Sequence, residues 1–260
     1  MSSFTLKIIA LTAMIIDHTG SVFSDYLPFY FRVIGRLAFP IFVYLVAQGF
    51  KHTRSPEKFL LRLFIFAIIS EPAFDWALVR SQNILYGYSP WTVDFLRNTN
   101  IFYTLFLGGM AIYVFTWLFD ALSQKFSQLF GPDDDSARAI SFLLAMLPVL
   151  FFMHLAEMLS TDYGAYGVVF IFLMYVVKPR KLMLLVFAVM NILQHRYTLM
   201  FIIEGTPIDA KWLWMIPATL LTVPLIALYN GKRGPKLKLF FYAAYPVHLA
   251  ILAALAWYIL

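Results

Sequence analysis

Long apolar runs separated by short charged segments are the feature that most constrains this chain. A helix that crosses a bilayer core needs about 20 apolar residues, and the sequence contains nine runs close to that length. With 62% hydrophobic and only 13% charged residues, the chain is far more apolar than a soluble domain. We therefore predict an all-α integral membrane protein, a polytopic bundle of about nine transmembrane helices with a range of eight to ten.

The predicted segments end at breaks rich in proline, glycine and serine, such as RSPEK, GPDDDS and NGKRGPK. The nine segments are Phe4–Ser24, Val33–Phe50, Phe59–Val79, Ile101–Phe119, Ile140–Leu159, Tyr163–Val177, Leu182–Ile203, Trp212–Tyr229 and Leu239–Leu260. The sixth segment is short and could instead be re-entrant. No soluble domain or internal repeat stands out, so residues 1–260 are expected to form a single transmembrane domain.

Positive charge sets the expected orientation. With the amino terminus inside, 14 of the 20 lysines and arginines fall at the cytoplasmic side, as the positive-inside rule requires. The net charge of +6 is therefore assigned to membrane orientation and not to nucleic-acid binding. Zero cysteines exclude disulfides, thiolate metal sites and cysteine nucleophiles. No two of the five histidines have ligand spacing within one helix, so no metal site is expected.

An Asp-His pair lies deep in the first apolar run, in the sequence IIDHTG. A charged group at the centre of a bilayer costs roughly 2.5–3.5 kcal/mol on insertion scales, so such residues usually face protein or water and serve a function. Lys7 precedes His18 by 11 residues, which on a helix places both on one stripe about 16 Å apart. Asp17 points about 100° away from His18 and should pair with a residue of another helix.

The second and third segments offer partners for this pair. Arg36 can bind a carboxylate in a bidentate manner. Glu71 and Asp75 lie at i and i+4 on one face of a helix that Pro72 should kink. These groups could line one cavity with the Asp-His pair and with His248 of the last segment, although arginine and carboxylate groups in a membrane often only hold helices together.

Further polar candidates lie outside these segments. Tyr245 and His248 are at i and i+3 in the last segment, and His248 could equally be a core histidine. Asn100 could cap a helix or donate a hydrogen bond into the cavity. The loop with Lys232 and Arg233 could bind phosphate through its N–H groups and cations, or attract anionic lipid. The three remaining histidines, His52, His154 and His195, are expected to be structural.

Five stretches of the chain resemble the TraX family of membrane proteins, whose namesake acetylates the amino terminus of a conjugative pilin. In chain order the stretches are TLKIIALTAMIIDHTG, IGRLAFPIFVYLVAQG, NIFYTLFLGG, DYGAYGVV and FFYAAYPVHLAIL. The resemblance covers nearly the whole chain. TraX in turn looks like a relative of the acyltransferase-3 group, in which an arginine lies 11 residues before an essential first-helix histidine. Lys7 and His18 keep that spacing, with lysine in place of arginine.

The resemblance implies an acetyl-CoA-dependent O- or N-acetyltransferase of the bacterial cytoplasmic (inner) membrane, with a cytoplasmic amino terminus. Acetyl-CoA is the expected donor, and a surface glycan, lipid-linked sugar or pilin-type protein is the expected acceptor. The catalytic candidates are Asp17, His18, Arg36 and His248. The cavity and acceptor-binding candidates are Glu71, Asp75, Asn100 and Tyr245. The cofactor-binding candidates are Lys7, Lys232 and Arg233.

Each candidate has an expected role. His18 would act as general base or carry the acyl group, while Asp17 holds a partner such as Arg36 or His248. Arg36 or Asn100 would stabilise the oxyanion. Two other classes remain open from the sequence: a proton-coupled transporter, which would also use buried acids and histidines with Pro-broken helices, and a non-catalytic assembly factor.

Overall fold

A computed structural model describes residues 1–131, 134–235 and 237–259, and within these ranges it does not describe the side chains of residues 81, 82 and 85. The chain is 77% helix, and its described part contains no strand. The helices are α1 (Ser3–Val22), α2 (Tyr30–Gly35), α3 (Ala38–His52), α4 (Pro56–Phe74), α5 (Arg80–Leu85), α6 (Ile101–Phe130), α7 (Asp135–Met158), α8 (Gly164–Val176), α9 (Arg180–Leu193), α10 (Arg196–Ile203), α11 (Met215–Leu220), α12 (Thr222–Ala227) and α13 (Lys238–Ile259). The prediction of an all-α protein is confirmed.

Each of the nine predicted segments coincides with helical structure, but nine spans are not confirmed. Five described helical stretches are long and apolar enough to cross a membrane, or six if the bent pair α9 and α10 counts as one span. The five are Tyr30–His52, Ile101–Phe130, Asp135–Met158, Ala210–Ala227 and Lys238–Ile259. Charged residues make α1 and α4 less apolar, and α8 has only 13 residues. The prediction of a polytopic helical membrane protein is confirmed.

Apolar side chains cover the outside of the longest apolar helices. On α7, Leu143, Leu147 and Phe151 are 59–67% exposed. A soluble protein rarely leaves such a contiguous apolar surface uncovered, whereas a bilayer covers it.

Two helices extend beyond the predicted segments. Helix α6 continues to Phe130. Helix α7 already begins at Asp135, because the Asp134 carboxylate accepts hydrogen bonds from the first N–H groups of that helix. The predicted break between these two helices includes residues 132 and 133, which lie outside the described residues. Lys236 of the basic loop and Leu260, the end of the last predicted segment, also lie outside them.

The chain forms two compact units. The first unit contains Met1–Leu45, Ile68–Phe95 and Val177–Leu260, and the second contains Val46–Ala67 and Leu96–Val176. In the second unit, α6 packs against α7 and α8. A Cβ atom added to Gly108 would lie 2.5 Å from Ile171, so the glycine permits a close approach of α6 and α8 that any side chain would prevent.

In the first unit, α1 packs against α2 and α13. A five-residue π-helix, Asp75–Val79, continues α4 three residues after Pro72 and packs against both α1 and α13. Proline cannot supply the N–H of a helical hydrogen bond, and π-helical turns frequently occur at functional sites. The first unit therefore brings the π-helix beside the two helices that carry His18 and His248.

Candidate active site

Two histidines from opposite ends of the chain form a hydrogen-bonded pair. His18 of α1 and His248 of α13 approach to 2.7 Å between Nδ1 of His18 and Nε2 of His248. Their rings are within 13° of parallel, with centroids 5.0 Å apart. The other ring nitrogen of His248, Nδ1, lies 2.8 Å from the carbonyl oxygen of Ala244, one turn earlier in α13. The sequence predicts both histidines in one cavity but not the hydrogen bond between them.

The Ala244 carbonyl determines where the protons of this pair lie. A carbonyl oxygen only accepts hydrogen bonds, so Nδ1 of His248 carries its proton, and in the neutral ring Nε2 is then an acceptor. Nδ1 of His18 must therefore donate to it, which leaves the lone pair of a neutral His18 on Nε2. That nitrogen has no hydrogen-bond partner among the described residues. A partly buried imidazole with a fixed tautomer and a free basic nitrogen is suited to remove a proton from a substrate.

Tyr245 lies beside both histidines. Its ring centroid is 5.9 Å from that of His18 and 5.6 Å from that of His248, both in edge-to-face geometry. Tyr245 is 3% exposed and His248 is 8% exposed, whereas His18 is only partly buried. The arrangement makes His18 the more accessible member of the pair.

Asp17 binds two arginines. Its carboxylate oxygens lie 2.8 Å from a guanidinium nitrogen of Arg32 and 2.8 Å from one of Arg36. Arg32 also donates to the backbone carbonyl of Asp17, and Nε of Arg36 donates to the carbonyl of Arg32. We call these three residues the Asp17 clamp. Arg36 is one of the two partners that the sequence offered for Asp17, and Arg32 was missed although it lies at i−4 from Arg36, on the same helical face.

The Asp17 clamp requires a glycine opposite it. A Cβ atom added to Gly35 would lie only 2.1–2.3 Å from the side-chain atoms of Asp17. Likewise, a Cβ atom added to Gly20 would lie 2.4 Å from Cβ of Phe31. The two glycines let α1 and α2 approach closely enough for the guanidinium groups to reach Asp17.

The two acidic candidates of the third segment occupy different environments. Glu71 is completely buried in α4. Asp75 is 2% exposed, and its carboxylate accepts a hydrogen bond of 2.8 Å from the backbone N–H of Asp94. Trp76 donates to the carbonyl of Trp91, so the loop that follows α5 is tied to the π-helix at two points. A cavity shared by Glu71, Asp75 and the histidines stays a prediction.

Asn100 has a structural role in the second unit. Its side-chain oxygen accepts from the N–H of Phe102 at 2.9 Å, and its amide nitrogen donates to the carbonyl of Ala67 at 2.8 Å. The residue caps α6, the first of the two alternatives that the sequence left open. The second alternative, a hydrogen bond donated into the cavity, and the stabilisation of an oxyanion stay predictions.

The cofactor-binding candidates gather around the amino terminus of α1. The first N–H groups of α1, from Ser3 and Phe4, donate to the carbonyls of Lys232 and Arg233 at 2.8 and 3.1 Å. Lys232 and Arg233 have exposed side chains. The ammonium of Lys7 lies 5.3 Å from the ring centroid of Phe241, in the first turn of α13 after the loop. The loop thus uses its carbonyls to cap α1 and presents its cations outward.

Fold and site together define a polytopic helical membrane protein with a paired-histidine centre beside an Asp-Arg ion pair. The family model described as "TraX protein" matches residues 2–256. The chain belongs to the TraX family, as the sequence predicted. It is 27% identical to the probable fimbrial assembly protein FimC, serogroup H1, of Dichelobacter nodosus, over 97% of this chain and 95% of that protein. No solved structure matches the chain, and the relation to the acyltransferase-3 group stays a prediction.

Proposed function

We propose that this protein is a membrane-embedded acetyltransferase that moves an acetyl group from cytosolic acetyl-CoA to a hydroxyl or amine of an extracytoplasmic acceptor. The observation that carries the proposal is the chain of hydrogen bonds from His18 through His248 to the carbonyl of Ala244. It fixes the tautomer of His18 in the way that an orienting partner fixes a catalytic histidine in other enzymes.

In the proposed reaction, Nε2 of His18 removes the proton from the acceptor hydroxyl or amine as the oxygen or nitrogen attacks the thioester carbonyl. The new C–O or C–N bond forms, and the carbonyl electrons move onto the oxyanion. When the intermediate collapses, the C–S bond breaks and the imidazolium returns its proton to the CoA thiolate. His248 stabilises the imidazolium by accepting the Nδ1 hydrogen bond. A general base of this kind contributes about 10²–10⁴-fold to rate.

The Asp17 clamp supports the centre by position and charge. Two guanidinium groups against one carboxylate leave one excess positive charge, which favours the oxyanion by Coulomb attraction. Since Nε and one terminal nitrogen of Arg36 already donate within the first unit, we assign Arg36 mainly the role of holding Asp17. Tyr245, packed against both rings, would exclude water or contact the acceptor.

The basic loop is the proposed donor entrance. Lys7, Lys232 and Arg233 would bind the phosphates of acetyl-CoA by charge. Lys7 and His18 are 11 residues apart on α1, about 16 Å along the helix axis. Coenzyme A carries its thioester on a long flexible arm, so phosphates at one end of α1 and the acetyl group near His18 are compatible.

The name of the related Dichelobacter nodosus protein suggests one class of acceptor. The Dichelobacter nodosus protein is named as a probable fimbrial assembly protein, so a pilin-type subunit is one proposed acceptor. A surface glycan or glycolipid is the other. The loop before α6 contains Trp91, Tyr86 and Tyr88, which are 45–72% exposed, and aromatic rings of this kind contact sugars as well as membrane interfaces.

The test is release of free CoA from acetyl-CoA by the purified protein in nanodiscs, with and without membrane extract as a source of acceptor. His18→Ala should lower the release stimulated by extract by at least 10²-fold. The matched control is His154→Ala, because His154 is an exposed histidine of α7 in the second unit and should not matter.

Other outcomes separate the alternatives. If wild-type protein neither binds acetyl-CoA nor releases CoA, the proposal fails. Solute movement into liposomes without acetyl-CoA would then support a proton-coupled carrier, which the buried Glu71 and Asp75 would suit. Full fimbriation by a His18→Ala strain would instead support a non-catalytic assembly factor.

A further inference from the structure

A second buried polar cluster lies where the seventh predicted segment breaks. The helices α9 and α10 are bent by 65° at residues 194 and 195, and α9 packs against α11 and α12. We call the polar residues at this point the α9 cluster; they are Asn191, Gln194, His195, Thr219 and Thr222. Four of them, all but Gln194, are at most 7% exposed. Polar groups buried in a membrane domain are costly, and they usually mark a function.

The hydrogen-bond directions in the α9 cluster follow from its carbonyls. Thr219 donates its hydroxyl proton to the carbonyl of Met215 at 2.7 Å, and Thr222 donates to the carbonyl of Thr219 at 2.6 Å. Both hydroxyls can therefore only accept from their other neighbours. Nε2 of His195 must donate to Thr219 at 2.7 Å, and the amide nitrogen of Asn191 must donate to Thr222 at 3.1 Å.

This arrangement leaves acceptors without donors. The amide oxygens of Asn191 and Gln194 are buried and have no hydrogen-bond partner among the described residues. The two residues lie at i and i+3, on one face of the helix and about 5–6 Å apart at their Cβ atoms. A buried acceptor without a donor costs free energy, because it has lost its hydrogen bonds to water. A ligand that supplies hydrogen-bond donors would remove that cost.

Charge selects among such ligands. The α9 cluster contains no carboxylate. The Asp17 clamp is nearby, because α11 packs against both α9 and α2, and α2 carries Arg32 of the clamp. With one excess positive charge in the Asp17 clamp, an ammonium group or an alkali cation would be repelled. A neutral group with several hydroxyls fits better.

We propose that the α9 cluster binds a neutral, hydroxyl-rich part of the acceptor, that is, a carbohydrate group. The inference rests on the proposed acetyltransferase function and deepens it, because it places the acceptor in the first unit, on the side of the Asp17 clamp where α11 packs against α2. It selects a sugar hydroxyl over a charged amine as the group that is recognised.

The experiment compares two defined probes, methyl β-glucoside as a neutral polyol and alanyl-alanine amide as a peptide amine. The protein in nanodiscs is given acetyl-CoA, and acetylated product is measured by mass spectrometry. We expect acetylation of the glucoside. Gln194→Met should raise its KM about tenfold with little change in kcat and none in acetyl-CoA binding, because a side chain of similar length loses its amide, including the buried oxygen that would accept from the glucoside. Asn191→Leu is the second variant, and Val189→Ala, on an exposed part of α9, is the control.

A binding readout keeps this inference separate from the acetyltransferase proposal. Methyl β-glucoside should raise the melting temperature of wild-type protein without acetyl-CoA, and Gln194→Met should abolish that shift. If binding depends on Gln194 but no CoA is ever released, the site stands and the enzyme proposal fails. If alanyl-alanine amide is the better substrate, or if both variants bind the glucoside as wild type does, the inference is overturned.

Discussion

Replacing Gly35 by alanine tests the Asp17 clamp with one methyl group. The added Cβ atom would lie 2.1 Å from a carboxylate oxygen of Asp17, and real Cβ contacts essentially never fall under 3.0 Å. The backbone at residue 35 and the side chain of Asp17 must therefore separate by at least about 0.9 Å, which breaks or bends the two ion-pair contacts of 2.8 Å made by Asp17. A displacement of about 1 Å near a catalytic centre can cost about 10²-fold in rate.

The stability change can be estimated from opposing effects. Alanine is the better helix former by about 1 kcal/mol, whereas breaking a buried ion pair costs about 3–5 kcal/mol. The side chains of the clamp are 12–31% exposed, so the lower end of that range applies. We expect a net loss of about 2 kcal/mol in the free energy of unfolding.

CoA release and thermal unfolding in nanodiscs measure both effects. Gly49→Ala is the matched control, because a Cβ atom there would meet its nearest neighbour at 3.4 Å, an ordinary contact. Gly35→Ala should lose about 10²-fold in CoA release while the control keeps wild-type release. Equal activity of the two variants would refute the view that the position of Asp17 matters to the centre.

Three further changes probe other parts of the molecule. His248→Ala should lower CoA release by about 10- to 100-fold, because His18 loses the acceptor that fixes its tautomer. His248→Gln should restore part of the CoA release, since the amide oxygen of glutamine can accept the same proton. Equal CoA release by the two variants would contradict a role of His248 in orienting His18. Asn100→Ala should lower the free energy of unfolding by about 0.5–2 kcal/mol through loss of a cap in chemical or thermal denaturation, and a loss of CoA release without loss of stability would argue instead for a direct catalytic role. Gly234→Ala should raise the KM for acetyl-CoA, because its Cβ atom would lie 2.7 Å from the first turn of α1. Gly231→Ala is the control, because Gly231 has nearly the same left-handed φ (+76°, against +73°) but open space around it. Similar KM values for the two variants would argue against donor binding by this loop.

The sequence predicted the fold class and most of the residues that form the centre, because hydropathy and buried charge are local signals. The pairing of His18 with His248 was not predictable, since it depends on the register of two helices separated by 230 residues in the chain. Arg32 carried a readable signal in its spacing from Arg36.

The break between α9 and α10 was hidden inside an apolar run. The segment Leu182–Ile203 was predicted as one continuous span, although the triplet Gln194, His195 and Arg196 interrupts it. Apolar residues on both sides dominate a hydropathy reading, and only the hydrogen bonds of the α9 cluster show why the helix ends there. In the same way, α6 extends beyond the predicted Phe119 to Phe130, because its last turns are amphipathic and not apolar throughout.

The carbonyls of Lys232 and Arg233 cap α1, so the basic loop and the histidine pair are connected through one helix. An α-helix transmits an axial displacement along its length with little loss, because its hydrogen bonds run parallel to the axis. Any shift of the loop along that axis therefore moves His18 by nearly the same amount, although His18 lies about 21–23 Å along the axis from Ser3 and Phe4. A ligand that shifts the loop would therefore also shift the imidazole of His18. A change in loop length should alter the geometry of the His18–His248 pair before it alters the rest of the protein.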